Sequence, residues 1–148
     1  MNESRPSFLL VDGNNVVHAW PDLLRLHARS PASARAELIR RIDEYQGFSE
    51  ERAVLVFDGR GSTTNEERTE AGLQIFYAGE GRTADDIIEH LALKYAATCD
   101  MTVATNDRAE QDMVSAAGAH VISADGLRER LESVDRQMKD WLERHRKR

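Results

Sequence analysis

Apolar residues fall along the chain in short runs of two kinds. "FLLVD" (8–12) and "AVLVFD" (53–58) are continuous rather than alternating, the pattern of strands covered on both faces of a parallel sheet. "LQIFYA" (73–78) and "MTVATND" (101–107) read the same way, and "AHVIS" (119–123) supplies a shorter fifth strand. Between these runs the spacing changes to the helical period. "SPASARAELIRRIDEYQGF" opens with Ser30 as N-cap and Pro31 at the first helical position, gathers Leu38, Ile39 and Ile42 on one face, and stops at Gly47. "TADDIIEHLALKYAAT" places Ala84, Ile88, Leu91 and Tyr95 on one stripe, and Thr83 with Asp86 three residues later gives a capping-box start. "DRAEQDMVSAAG" and a long helix from Asp125 complete the set. In that last helix Leu127, Leu131, Val134, Met138, Trp141 and Leu142 recur at helical spacing and read as a core-facing stripe.

Strands alternating with helices predict an α/β sandwich around a parallel sheet, joined by right-handed crossovers. "GRGSTTNEERTEAG" (59–72) is the one long connection expected to be irregular, and loops of that size are commonly functional. The 148 residues suit a single domain, 1–148, ending in a C-terminal helix and basic tail (about 125–148). No apolar run reaches membrane-helix length and "MNESRPS" is no signal peptide, so a cytoplasmic protein without membrane contact is expected. Cys99, the lone cysteine, is read as buried helix packing, and His18 and Trp20, in the apolar segment after "DGNN", as packing rather than substrate contact. A net charge of −6 argues against coating nucleic acid nonspecifically, so any nucleic-acid role must be local. The terminal "RHRKR" either touches phosphates or serves solubility.

Chemistry concentrates at the ends of the strands. In open parallel sheets ligands bind beyond the carboxyl ends, where the strand order reverses. The first strand ends on Asp12, the second on Asp58 and the fourth on Asp107, and the third leads through "GEGR" to Asp85 and Asp86. Asp86 and Asp107 each have an ordinary alternative as helix caps. Acids at four consecutive strand ends would repel one another, and such a gathering normally holds a cation. Oxygen donors without cysteine or histidine favour Mg²⁺ or Mn²⁺ over zinc, and Asp12, Asp85, Asp86 and Asp107 are the expected ligands. Carboxylate-held Mg²⁺ suits phosphodiester hydrolysis, in which Asp58 joins the same acids as a catalytic residue. Gly13 would let the chain turn tightly. Asn15 would contact a substrate phosphate or fix a carboxylate, or else, like Asn14, close a turn or cap a helix, and Asn106, a further substrate-contact candidate, bears the same ambiguity. Arg60 and Arg68 are phosphate-contact candidates or solvated loop charge. Asp112, five residues beyond Asp107, should point elsewhere.

Taken together, "LLVDGNNVVHAW", "VLVFDGRGS", "GEGRTADDIIEHLA" and "VATNDRAEQ" resemble the NYN domains of the PIN-like nuclease superfamily, and most closely the YacP-like subgroup. The likeness runs from Phe8 to about Leu131. It implies a PIN-like three-layer α/β/α sandwich with strand order 3-2-1-4-5, and a metal-dependent ribonuclease, an endoribonuclease of RNA decay or processing. The family's positions fall on Asp12, Asn15, Asp58, Asp85, Asp86 and Asp107. The expected partner is RNA, single-stranded or messenger, and an acidic enzyme should receive it from a carrier such as the ribosome or a protein. The competing reading is a noncatalytic RNA-binding or ribosome-associated adaptor, which would have no need to tolerate crowded acids. A receiver domain would want a lysine after the fifth strand, where "VISADG" has none, and a dinucleotide binder would want a glycine-rich turn after the first.

Overall fold

Leu9, Leu10 and Val11 are all buried, so the first strand, β1 (Ser7–Asp12), has no solvent face. The computed structural model describes residues 5–59 and 65–146. After β1 come α1 (Gly13–Ala19), α2 (Pro21–Arg29), α3 (Pro31–Phe48), β2 (Arg52–Asp58), β3 (Asn65–Arg68) and β4 (Gln74–Ala78). They are followed by α4 (Ala84–Tyr95), β5 (Asp100–Ala104), α5 (Arg108–Ala116), β6 (His120–Ile122) and α6 (Ala124–Arg146).

The sheet runs β3-β4-β2-β1-β5-β6. Counting only the five strands expected from the sequence, this is the order 3-2-1-4-5, and every pairing among them is parallel. The sixth strand is a correction. Part of the connection expected to be irregular forms β3, which pairs antiparallel with β4 through Asn65–Tyr77 to Arg68–Gln74. All four residues of β3 are exposed, so it carries no apolar signal, and backbone bonds to the sheet edge define it.

Alternation along the strands sorts the core into two layers. Leu9, Val11, Leu55, Phe57 and Ile75 face α1, α2, α3 and α6, where Trp20, Leu23, Leu38, Ile42 and Leu127 meet them. Leu10, Val54, Val56, Met101 and Val103 face α4 and α5 through Ile87, Ile88, Ala92 and Val114. Ser30 caps α3 with Pro31 behind it, and Thr83 and Asp86 form the expected capping box of α4. Helices α1 and α2 lie where the pattern signalled only apolar packing; α1, at seven residues, is too short to show a period.

Two packing expectations need amendment. Cys99 is buried, but in the turn ahead of β5 rather than on a helix. The stripe of α6 enters the core only in its first half. Leu127 is buried and Leu131 and Val134 pack against the core, whereas Trp141 and Leu142 are 45% and 52% exposed. The helix packs on α1, α3, β5 and β6, and every residue from Lys139 to Arg146 is exposed.

Candidate metal centre

The register aligns the carboxyl ends of β1 and β5, with Val11 opposite Ala104, so Asp12 and Thr105 emerge side by side. Strand order reverses about β1, which makes this the crevice position of a doubly wound sheet. Asp12 ends β1 and caps α1, accepting the Asn15 N–H at 3.5 Å. Glu110 comes from the first turn of α5 and Asp85 from the first turn of α4. One carboxylate oxygen from each of Asp12, Asp85 and Glu110 lies within 4.8 Å of the other two. Asp12 and Glu110 are buried and Asp85 is open to solvent, so the cluster has a closed floor and one accessible side.

Thr105, fully buried, organises that floor. Its Oγ1 accepts the Asp107 N–H at 3.1 Å and lies 3.3 Å from Asp12 Oδ2 and 3.2 Å from Glu110 Oε1. A hydroxyl carries one proton and donates to one carboxylate only, so the other short contact needs a proton on a carboxyl. Glu110 is the group that keeps it. Burial raises its pKa far above the ordinary carboxylate range, and the close carboxylates of Asp12 and then Asp85 raise it further. Asp12 is also raised, first by burial and then by the charge of Asp85, while hydrogen bonds from Asn15 and Thr105 pull the other way. Glu110 Oε2 is buried without a hydrogen-bond partner among the described residues. A buried oxygen left in that condition is costly in a polar site, and it points to a ligand.

The other acids named from the sequence stand around this cluster and tie down its supports. Asp58 Oδ1 accepts the Ala84 N–H at 2.8 Å and holds the start of α4, the helix that carries Asp85. Asp86 takes part in the Thr83 capping box, and Asp107 caps α5 by accepting the Glu110 N–H at 3.1 Å. Asn14 Oδ1 accepts from the Asp58 N–H at 2.7 Å, Asn15 Oδ1 from the Asn106 N–H at 2.7 Å, and Asn106 Oδ1 from the Ala124 N–H at 2.8 Å. These three amides run along the carboxyl edge and join the ends of β2, β1 and β5 to the start of α6. Arg68 lies on β3, bonded to Glu66 at 3.2 Å, and Arg60 is outside the described residues. Asp112 is exposed beside Arg108. Trp20 is buried and donates to the Ala124 carbonyl at 2.9 Å, whereas His18 is exposed, with Nδ1 2.8 Å from the Asn14 carbonyl.

Sequence reasoning passed over Glu110 and Thr105. Glu110 stands three residues after the α5 cap, where an acid ordinarily completes a capping box by bonding back to the cap N–H. Here Thr105 takes that N–H, which frees the Glu110 side chain to turn inward. The only available signal was a threonine two residues before the cap, already able to do the job of the acid. Gly13 was expected to serve a tight turn, but its backbone φ is not positive. A Cβ at this position would come within 2.4 Å of the Phe57 ring, so close packing requires the glycine.

A sequence model of the YacP-like NYN domain matches residues 9–148. The chain belongs to the YacP-like NYN domain family. The Bacillus subtilis (strain 168) relative described as "Uncharacterized protein YacP" is 37% identical over 133 residues, covering 88% of this chain and 78% of the relative. Two crystal structures of Rae1 (YacP) from Bacillus subtilis share the fold. The first, of a tryptophan-to-leucine mutant, has a TM-score of 0.80 at 31% identity and covers 96% of this chain and 84% of its own. The second has a TM-score of 0.78 at 31% identity over 93% and 80%. The fold of this family member is thus of nuclease type, its acidic cluster has a geometry that could hold a metal ion, and no described helix is long and apolar enough to cross a membrane.

Proposed function

We propose that the chain is a Mg²⁺- or Mn²⁺-dependent ribonuclease that hydrolyses RNA phosphodiester bonds in the cytoplasm, as an endoribonuclease of RNA decay or processing. One observation carries the reading: three carboxylates, two of them buried, converge at the sheet's switch point, with a buried oxygen that has no partner among the described residues. An all-oxygen donor set of this charge fits a hard divalent cation, which Asp12, Asp85 and Glu110 would hold. When bound, such an ion supplies charge neutralisation at the scissile phosphate and acidifies the attacking water.

The protein's own residues do the rest. Thr105 fixes the relative orientation of Asp12 and Glu110. Asp58 and Asp107 hold the first turns of α4 and α5, from which Asp85 and Glu110 project. Both helices open toward this edge, so their positive ends favour an approaching phosphate. The net charge of −6 makes capture of free RNA weak, and we include presentation by a carrier, the ribosome or a protein, in the proposal.

The test is cleavage of single-stranded RNA with Mg²⁺ or Mn²⁺, comparing the parent with Asp12→Asn, Asp85→Asn and Glu110→Gln. Each variant should lose about 10²-fold or more in rate while keeping its fold, because the ion's contribution is worth several kcal/mol. If the parent cuts no RNA, free or ribosome-bound, under any divalent ion, the noncatalytic adaptor replaces this reading.

A further inference from the structure

Beyond Val134 the apolar stripe of α6 continues through half-buried Met138 to Trp141 and Leu142, which no described residue covers fully. Trp141 and Leu142 are about half exposed, and His145 stacks on Trp141 with ring centroids 4.0 Å apart and planes 22° from parallel. Cations flank this strip. Arg144 lies three residues after Trp141, and Arg146 four after Leu142, so both are helical neighbours of the exposed apolar side chains. Arg136 and Arg144 make no ion pair among the described residues. Arg146 meets Glu143 at 2.9 Å, but that pair is exposed and readily exchanged. Charge separates along the chain in the same sense. Residues 136–148 hold six Lys/Arg against two Asp/Glu, while the remainder holds 14 against 24.

We propose that the C-terminal half of α6 is an RNA-docking arm, in which Trp141 stacks on a base while Arg144 and Arg146 grip neighbouring phosphates. The proposal rests on the ribonuclease reading for its substrate class. Charge decides the occupant: a basic segment on an otherwise acidic protein fits a polyanion, and a half-exposed indole beside arginines is how single strands are held without sequence preference. Met138, Trp141 and Leu142 offer too little apolar surface for a stable second copy, which would bury upward of about 1,000 Å². Because α6 starts at the carboxyl edge and Trp141 lies 17 residues on, roughly 25 Å along the helix, the arm touches RNA away from the bond that is cut.

Fluorescence anisotropy of a labelled single-stranded RNA in EDTA reads docking without chemistry. Trp141→Ala should weaken binding about tenfold. The double variant Arg144→Gln/Arg146→Gln should flatten the slope of log affinity against log salt by about 1.4. Parent-like affinity and slope in both variants would overturn the proposal. So would sedimentation showing a parent dimer that Trp141→Ala abolishes while RNA affinity stays put. Cleavage is scored separately, on the same RNA with Mg²⁺ or Mn²⁺ restored. A parent that binds through the arm yet never cuts would sink the nuclease reading and leave the arm standing.

Discussion

Two groups of acids in this molecule meet opposite treatment. On the face formed by α2 and α3, Asp22, Glu37 and Glu44 stand among Arg40 and Arg41. Arg41 bonds Asp22 at 2.6 Å and Glu37 at 2.8 Å and lies 5.7 Å over the Trp20 ring. Hydrogen bonds from Arg40 and then Arg41 hold the Glu37 carboxyl down at about 2. At the carboxyl edge, Asp12, Asp85 and Glu110 are as crowded, yet no ion pair answers them among the described residues, and burial drives Asp12 and Glu110 up instead. Where carboxylates serve structure, the chain supplies their counter-charge. Where the described residues supply none, the cluster is left open to a cation from outside.

The sharpest way to break this contrast is to neutralise the uncompensated group. The rate loss of about 10²-fold or more for Asp12→Asn, Asp85→Asn or Glu110→Gln has no counterpart in Glu37→Gln, which should cut at the parent rate. Supplying the missing charge is the second route. Mn²⁺ at a hundredfold over its dissociation constant should stabilise the parent by about 2.7 kcal/mol, raising Tm by roughly 5 to 10 °C in scanning calorimetry. Glu110→Gln should show little of that shift.

Removing the internal counter-charge comes third. Arg41→Ala leaves Asp22 and Glu37 without their shared partner and uncovers Trp20, at a cost of about 1–2 kcal/mol in urea denaturation, whereas Arg40→Ala, on a more exposed side chain, should cost under about 0.5. The smallest effect is read from pH. The Glu37 pairing is present above pH 4.5, its unfolded value, and is lost as pH falls through about 2; solvent screening keeps it below about 1 kcal/mol. Glu110 acts in the opposite sense. Below pH 4.5 it is protonated in both states; above it, only the folded state keeps the proton, so metal-free stability falls as pH rises toward the folded pKa. Melting curves of the EDTA-treated protein should show that decline, and Glu110→Gln should flatten it.

Much of this architecture could be read from the chain because buried strands and capped helices leave local marks. Leu9 to Val11 and Val54 to Phe57 announce two-sided burial, and Thr83 with Asp86 announces the start of α4. The edge strand β3 could not be read, since Glu66 and Glu67 look the same in a loop and on an exposed strand, and only pairing to β4 distinguishes them. The carboxyl edge was legible as a place and in two members of the carboxylate cluster, Asp12 and Asp85. Glu110 stayed hidden because its role depends on where Thr105 sends a hydroxyl, a three-dimensional fact with no spacing of its own. The outer half of α6 kept a core-like period past the end of the core, and periodicity alone does not say where covering stops.

Asn14, Asn15 and Asn106 each clasp a backbone N–H belonging to a different segment, so four chain ends along one rim move as a single plate. A visiting ion or phosphate therefore meets a gauge already set to width rather than a mouth that must shape itself. Amide protons of Asp58, Asn106 and Ala124 should then exchange as slowly as those of the central strands, with or without a guest.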